Sequence, residues 1–146
     1  MVKSICLMVS TMIEFFLPMQ SPPTTTHQQK KVNLKTGVFY EEEALKKARD
    51  NYMTALSKYV PEKPMNGPIR ILMKFCFPYP KSWPKKKRKP TWKETKPDWE
   101  NMVKLPQDCM EHLGFFEKGD QQIASGIVEK FWSEPSGVYI RLEELC

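Results

Sequence analysis

In the stretch KPDWENMVKLPQD, residues 96–108, the spacing between charged residues changes from two positions to four. Few backbone conformations bring residues at both spacings to the same face. Asp98 and Glu100 are two positions apart, so their side chains share a face only where the backbone is extended. Glu100, Lys104 and Asp108 follow one another at intervals of four, so they share a face only on a helix. The stretch therefore predicts a chain that enters extended, becomes helical at Glu100 and gathers these four side chains in one place.

Three carboxylates and a lysine at a single place suit one or two hard divalent cations with a phosphate beside them. Asp120 precedes the strand predicted to open at Gln122, and it meets Asp98 and Glu100 if that strand lies beside the second helix. Mg²⁺ takes oxygen ligands and keeps waters and substrate phosphates in its octahedron, so it can activate water for phosphodiester hydrolysis. The alternative is that these acids are solvated charges on a helix face, where i,i+4 pairs with Lys104 contribute only a few tenths of a kcal/mol each.

The positive charge of the chain is concentrated in one segment, which lies directly before the acidic stretch. The formal net charge of the chain is +6, and residues 81–96 alone carry +7. The basic residues of this segment are Lys81, Lys85, Lys86, Lys87, Arg88, Lys89, Lys93 and Lys96. We expect them to bind a nucleic-acid backbone, with Trp83 and Trp92 available to stack on unpaired bases. The alternatives are a solvated charge run and, for the letters PKKKRK, a nuclear-localisation signal.

The composition is that of a single globular domain. The chain has 146 residues, of which 40% are hydrophobic and 27% charged, and this balance excludes wholesale disorder. The four cysteines form no CxxC pair and have no histidine at ligand spacing, so reduced thiols in an intracellular protein are expected. Residues 1–19 are too short and too interrupted to span a bilayer. Because Met12 is an alternative start, we expect residues 1–11 to be an N-terminal extension and residues 12–146 to form the domain.

The hydrophobic periodicity predicts an α+β domain. The predicted elements are a strand at 12–18, an extended segment at 32–40, a helix at 41–59, a strand at 69–77, a helix at 99–113 capped by Gly114, and an antiparallel hairpin of strands at 122–132 and 137–144. Their order implies a small mixed or antiparallel sheet with two main helices on one face. Trp99 is expected to fill the interface between the second helix and the sheet.

The segment KPDWENMVKLPQDCMEHLGFFEKGDQQIA resembles the core of the RusA family of Holliday-junction resolvases. The family pattern is P-D-x-D-N-x-x-K-x-x-x-D, followed further along by D-D-x-Q. The residues that fall on this pattern are Pro97, Asp98, Asn101, Lys104, Asp108, Asp120 and Gln122. The resemblance extends outwards to MIEFFLPMQSPPTTTHQQKKV and to IVEKFWSEPSGVYIRLEEL, so it covers residues 12–145.

The resemblance implies a homodimeric, Mg²⁺-dependent endonuclease that resolves four-way DNA junctions by paired symmetric nicks, with Mn²⁺ as an alternative ion. Carried over residue by residue, it makes Asp98, Glu100 and Asp120 metal ligands. Lys104 completes the catalytic set and contacts the scissile phosphate or orients water. The supporting residues are Asn101, Asp108 and Gln122. Such a protein acts in recombination, repair or phage DNA processing, in the cytoplasm of a bacterial or phage-infected cell and without a membrane partner.

Two positions depart from the family pattern. Glu100 stands where the family has its second aspartate, and Gly119 stands where it has the first aspartate of the later pair. Glutamate is a competent oxygen ligand, but its extra methylene displaces the carboxylate by about one bond length. The alternative function is therefore a catalytically weakened protein that keeps the fold and binds junctions or other nucleic acids.

Overall fold

The computed structural model describes residues 11–23, 30–32, 34–37, 39–41 and 43–145. Its strands and helices are, in chain order, β1 (Met12–Pro18), β2 (Lys30–Val32), β3 (Phe39–Glu41), α1 (Glu43–Leu56), β4 (Ile69–Phe77), β5 (Thr91–Trp92), α2 (Trp99–Leu113), β6 (Ile123–Trp132) and β7 (Gly137–Glu144). Both predicted helices and the strands predicted at 12–18 and 69–77 are confirmed. The N-terminal extension predicted at 1–11 lies outside the described residues except for Thr11, and so does the Thr-His-Gln loop at 24–28.

β4 is the central strand of the main sheet, and every second side chain in it is large and apolar. Five of its side chains are at most 5% exposed: Ile69, Ile71, Met73, Phe75 and Phe77. The side chains between them are partly or fully exposed. This alternation is the two-residue period of a strand that buries one face and leaves the other open.

The two helices pack against each other, and their buried side chains join those of the sheet in one core. The apolar residues of α1 recur at three and four positions, and those it buries are Leu45, Ala48, Tyr52 and Leu56. Gly114 ends α2 in the left-handed conformation, with φ at 87°, as the sequence predicts. The predicted α+β class, a single small domain with a mixed sheet and two helices, is confirmed. None of the described helices has the length and apolar character needed to cross a membrane.

The strand order of the main sheet is β1-β7-β4-β6-β5, and only β4 and β6 run parallel. The hairpin predicted for the last two strands is wrong, because β4 lies between β6 and β7. Residues 133–136 have to bridge two inter-strand spacings, about 10 Å, and a connection of this length reaches that far. The sequence therefore predicted the positions of these two strands along the chain but not their neighbours in the sheet.

Candidate functional site

Asp98 stands at the start of α2, where the backbone passes from extended to helical. Its φ of −66° and ψ of 137° are extended, and the helix begins at Trp99, one residue before the predicted switch. A carboxylate at this N-cap position usually accepts a hydrogen bond from the first turn of the helix. The Asp98 carboxylate makes no such bond and pairs with Lys96, with 2.8 Å between Nζ and Oδ1. The Lys96 hydrogen bond holds the pKa of Asp98 below its usual value, so an anionic group is kept at the surface.

Glu100 and Asn101 lie in the first turn of α2. Glu100 is exposed, and its carboxylate forms no ion pair with any lysine or arginine of the described part of the chain. Asn101 is half-buried, and its backbone N–H donates to the Asp98 carbonyl at 3.1 Å. The structure therefore does not bring Glu100 into contact with Lys104.

Lys104 connects the two separate parts of the motif. Its Nζ lies 2.8 Å from Oδ1 of Asp108, one turn along α2, and 3.5 Å from Oδ2 of Asp120, just ahead of β6. The hydrogen bond with Asp108 is the main reason why the pKa of Lys104 is raised, and the charges of both acids add to it. Lys104 is half exposed, so its ammonium is a permanent positive charge that remains open to solvent.

The Asp120 carboxylate is fixed by α2 and by the turn that carries it. Its Oδ2 accepts a hydrogen bond from Nε2 of Gln107 at 3.2 Å. Asp120 opens a 3-10 turn that leads directly into β6. Within this turn Gln122 is 9% exposed, and its Nε2 donates to the carbonyls of Met65 and Gly67 at 3.0 and 2.9 Å. Gln122 thus clamps the turn to residues 65–67, and it supports Asp120 through the backbone.

Gly119 has a backbone conformation that other residues adopt only with strain. Its φ is +122°, and the residue is buried. A Cβ built at this position would collide with Oε1 of Gln121 and with Oε1 of Glu111. The acid that the family pattern places here would therefore need a different backbone. In this chain the carboxylate of Glu111 occupies that space, and its Oε1 also accepts a long hydrogen bond, 3.4 Å, from the Asp120 N–H.

Three carboxylates, those of Asp108, Glu111 and Asp120, lie close enough together to share a cation. One oxygen of each lies within 4.8 Å of the other two. Of the three predicted metal ligands, only Asp120 belongs to this cluster, because Asp98 and Glu100 lie outside it. Their role as ligands stays a prediction.

Glu111 and Gln107 are candidate site residues that the sequence reasoning missed. Positions three and seven beyond a helical residue return to the same face, so both residues lie on the stripe of α2 that carries Lys104. The helical period could have found them. The family pattern leaves position 111 unassigned, so the ligand set that the resemblance implies does not include Glu111.

Residues 78–98 form a folded loop that exposes most of its basic side chains. Seven of the eight predicted DNA-binding residues are exposed: Lys81, Lys85, Lys86, Lys87, Arg88, Lys89 and Lys96. Arg88 shapes the loop, because its Nε donates to the Trp83 carbonyl at 3.1 Å. Lys87 lies over the Trp83 ring, 4.4 Å from its centroid. The loop thus presents its positive charge from a defined backbone.

Lys93 differs from the other predicted DNA-binding residues because it is buried. Its side chain is 7% exposed, and its Nζ lies 3.9 Å from the centroid of the Trp132 ring and 5.0 Å from that of Phe77. The same Nζ donates to Oγ1 of Thr95. Burial lowers the pKa of Lys93, and the charge of Lys130 lowers it further. The ammonium of Lys93 therefore holds the loop from inside and is not displayed at the surface.

Two tryptophans beside the acidic stretch are exposed. Trp92 is 66% exposed and stacks on Phe131, with ring centroids 4.5 Å apart. Trp99 is 57% exposed, so the expectation that it fills the helix–sheet interface is wrong. The buried residues of α2 begin only at Met102, three positions after Trp99. Trp99 therefore lies before the buried part of the helix. The rings of Trp92 and Trp99 are therefore both accessible from solvent.

Comparisons with known proteins place the chain in a family. The family model for the Endodeoxyribonuclease RusA matches residues 20–143. The uncharacterized protein YqaN of Bacillus subtilis (strain 168) is 34% identical to the chain over 96 residues. This match covers 61% of the chain and 66% of YqaN, just under two thirds of the length of that protein. On the strength of a family match over most of its length, the chain belongs to the RusA endodeoxyribonuclease family.

Proposed function

We propose that the chain is a metal-dependent endodeoxyribonuclease that resolves four-way DNA junctions by paired symmetric nicks. The observation that carries the proposal is the position of the Lys104 ammonium between the carboxylates of Asp108 and Asp120. These acids belong to the two separate parts of the motif, and the family membership supports the reaction class. Lys104 is thus a cation within an acidic site, at a place that suits a DNA phosphate.

The acidic side chains fit a hard divalent cation, Mg²⁺ or Mn²⁺. Asp108, Glu111 and Asp120 offer three oxygens within 4.8 Å of one another, and carboxylate oxygens are the ligands that such ions take. We propose Asp120 as the ligand common to this cluster and to the predicted set, with Asp98 and Glu100 contributing from the start of α2. When bound, such an ion supplies an activated water and stabilises the leaving oxygen of a phosphodiester.

Lys104 acts in this proposal as a fixed positive charge and not as a base. Its pKa is raised by Asp108, so the side chain stays protonated at neutral pH. Asp108 and Asp120 hold its Nζ in place before DNA arrives, and its half-exposed position leaves room for a phosphate oxygen. A charge that is already oriented needs no reorganisation when negative charge develops on the reacting phosphate.

The exposed charge of residues 81–96 supports DNA as the substrate, because lysines that neutralise phosphates release condensed counterions. A homodimer would relate two sites by a two-fold axis, and this matches the two opposed strands that are cut in a symmetric four-way junction. The cellular setting we propose is recombination, repair or phage DNA processing in the cytoplasm of a bacterial or phage-infected cell.

A synthetic four-way junction tests the proposal. We expect paired nicks in opposed strands with Mg²⁺ or Mn²⁺ and none with EDTA. Asp98→Asn and Asp120→Asn should abolish cutting, while junction binding stays intact or tightens because each change removes negative charge. Asp50→Asn, the same change at an exposed position of α1, is the control and should leave cutting unchanged. Failure to detect nicks with either ion would overturn the enzymatic proposal.

A second candidate is a junction-binding protein whose catalysis is weakened. The observation that favours it is that Asp98 is paired with Lys96 at 2.8 Å and that Glu100 lies outside the acidic cluster. Glu100→Asp restores the family residue, and a large gain in cutting would support a weakened natural site. Clear cutting by the wild type that Glu100→Asp does not increase would contradict this candidate. The corresponding change at Gly119 is a less direct test, because φ at +122° strains any side chain there and the Glu111 carboxylate would have to move aside.

A further inference from the structure

Lys130 lies outside the motif, yet it contacts the backbone immediately before Asp98. The register of the sheet pairs Lys130 of β6 with Phe75 of β4. Paired residues point to the same face, and Phe75 belongs to the core, so Lys130 is directed to the helix side of the sheet. Its Nζ donates to the carbonyls of Thr95 and Pro97, at 2.6 Å each. Two of its three ammonium protons are therefore committed to the segment that leads into α2.

The hydrogen bond from Lys130 to the Pro97 carbonyl fixes the plane of the peptide bond between Pro97 and Asp98. The carbonyl of Pro97 and the N–H of Asp98 belong to one planar unit, so holding the carbonyl holds the whole plane. The segment has few other ways to be held, because Pro97 has no N–H and the Asp98 carboxylate caps no backbone group of α2. With the plane held by Lys130, the position of the Asp98 carboxylate depends on rotation about the N–Cα bond of Asp98 and on its side-chain rotations.

Lys93 reinforces the same anchor. Its buried Nζ donates to Oγ1 of Thr95, while Lys130 holds the carbonyl of the same residue. The backbone N–H of Lys93 also donates to the Lys130 carbonyl at 2.9 Å. The half-exposed Asp98 thus follows a segment whose bonds to β6 all go through Lys130, from its side chain and from its backbone carbonyl.

We propose that Lys130 is a positioning residue for Asp98, which it places relative to Lys104 and Asp120 by holding the Thr95 and Pro97 carbonyls. The inference rests on the proposed nuclease function. Lys130 contacts the backbone of its own chain, so its loss should affect the catalytic step and the response to the metal rather than the affinity for DNA. Partners that orient a metal ligand in this indirect way typically change metal affinity or activity by about 10- to 100-fold.

The test compares three variants of the full chain. Lys130→Met removes the donors and keeps the length of the side chain, and Lys130→Arg retains charged donors. The control is Lys74→Met on the neighbouring strand β4, where Nζ lies over the Tyr139 ring, 5.7 Å from its centroid. The measurements are kcat and KM for nicking, junction affinity in EDTA, the rise in Tm on adding Mn²⁺, and amide hydrogen exchange over residues 93–101.

For Lys130→Met we expect kcat to fall by about 10- to 100-fold, with KM and junction affinity changing by less than about twofold. Amide exchange before and in the first turn of α2 should become faster, and the Mn²⁺-induced rise in Tm should shrink. Lys130→Arg should recover most of kcat, and Lys74→Met should behave as the wild type. Unchanged kcat and exchange in Lys130→Met would overturn the inference, and so would an equal loss of kcat in the two methionine variants.

The exchange and Mn²⁺ measurements do not depend on DNA cutting. If the wild type cuts no junction, the nuclease proposal is overturned, while faster exchange and a weaker Mn²⁺ response in Lys130→Met would still support the positioning role. If the wild type cuts and Lys130→Met shows neither effect, the positioning role alone is overturned.

Discussion

The Nζ of Lys104 lies 2.8 Å from Oδ1 of Asp108, four residues further along α2. An exposed i,i+4 pair of this kind stabilises a helix only slightly. Its significance here comes from the second contact of the same ammonium, with Asp120 from another part of the chain. The pair therefore places a cation between two anions before any substrate is bound.

Lys104→Met should lower the nicking rate by about 100-fold or more, because an oriented charge at the reacting phosphate is lost.

The folded-state pKa of Lys104 is raised, so the stabilisation from its ammonium is complete below the unfolded pKa and is lost only as pH rises through the folded value. The pH–rate profiles of the wild type and Lys104→Arg, each scaled to its own maximum, should therefore have the same shape up to about pH 9. Divergence of the two profiles below that pH, in single-turnover nicking, would contradict a permanently charged Lys104.

Lys96→Met should raise the pKa of Asp98 towards its usual value, because the Lys96 hydrogen bond is the main cause of its lowering. The folded-state pKa is depressed, so the stabilising contribution of ionised Asp98 is present above the unfolded pKa and is lost as pH falls through the folded value. Carboxyl ¹³C shifts followed through an acid titration would give the pKa in both proteins. Lys81→Met, elsewhere in the basic loop, is the control and should leave it unchanged. An Asp98 pKa that does not move in Lys96→Met would show that the pair does not form in solution.

Gly119→Ala should lower the free energy of unfolding by about 1–3 kcal/mol, because φ at +122° and the collision with Glu111 both oppose a side chain. The control is Gly67→Ala, where φ is +71° and no atom lies within 4 Å of the added Cβ. At Gly67 no neighbouring atom has to move and φ lies near the left-handed helical region, so the loss should be smaller. Urea denaturation of the two variants measures the difference, and equal losses would argue against the close approach of Glu111.

Replacing three exposed lysines of the basic loop by alanine should weaken junction binding and reduce its salt dependence. Lys85, Lys86 and Lys89 suit this test, since Lys87 and Arg88 also make contacts within the loop. The slope of log affinity against log salt should become shallower by about 0.9 for each phosphate contact that is lost. Alanines at Lys46, Lys47 and Lys58, which are equally exposed, form the control. Equal slopes in the two triple variants would refute the role of the loop.

Trp92→Ala should weaken binding to branched DNA by about 1–3 kcal/mol if an unpaired base stacks on its ring. Its stability should change little, because the ring is 66% exposed. Tyr59→Ala is a matched control, since Tyr59 stacks on Phe15 at the same centroid distance of 4.5 Å. Fluorescence anisotropy with junction and duplex DNA would measure both variants. A loss that is equal for Trp92→Ala and Tyr59→Ala would contradict a specific role of Trp92.

Hydrophobic periodicity was sufficient to predict the helices and strands that bury a single face. β4 is rich in β-branched and aromatic residues, although Leu72 and Met73 blur its alternation, and α1 repeats its apolar residues at three and four positions, so each could be predicted from the sequence. The neighbours of β6 and β7 in the sheet could not be predicted in this way. Alternation indicates which face of a strand is buried, but it says nothing about which strand lies beside it. The long apolar β4 takes the central place, and the two later strands pair on either side of it.

The candidate site could likewise be predicted only in part from the sequence. The spacing of Lys104 and Asp108 gives their contact directly, and the same helical period places Glu111 on that face of α2. The approach of the Glu111 carboxylate to Gly119 is visible only in the structure. The burial of Lys93 was also beyond the sequence. Lys93 lies outside the run of basic residues at 85–89, and nothing local in its sequence shows that its ammonium lies over the rings of Phe77 and Trp132.

The central place of β4 has a consequence for the order of folding. Both of its neighbours come from residues 123–144, so the middle of the sheet has no partner strands until that part of the chain has been synthesised. Contacts between such distant segments fold slowly, because loop closure precedes any gain from pairing. Asp120 leads into β6, and the anchor of Asp98 is also on β6, so the acids of the site come together only at this late step. A nascent chain that stops short of β6 would therefore display the basic loop without an assembled acidic site.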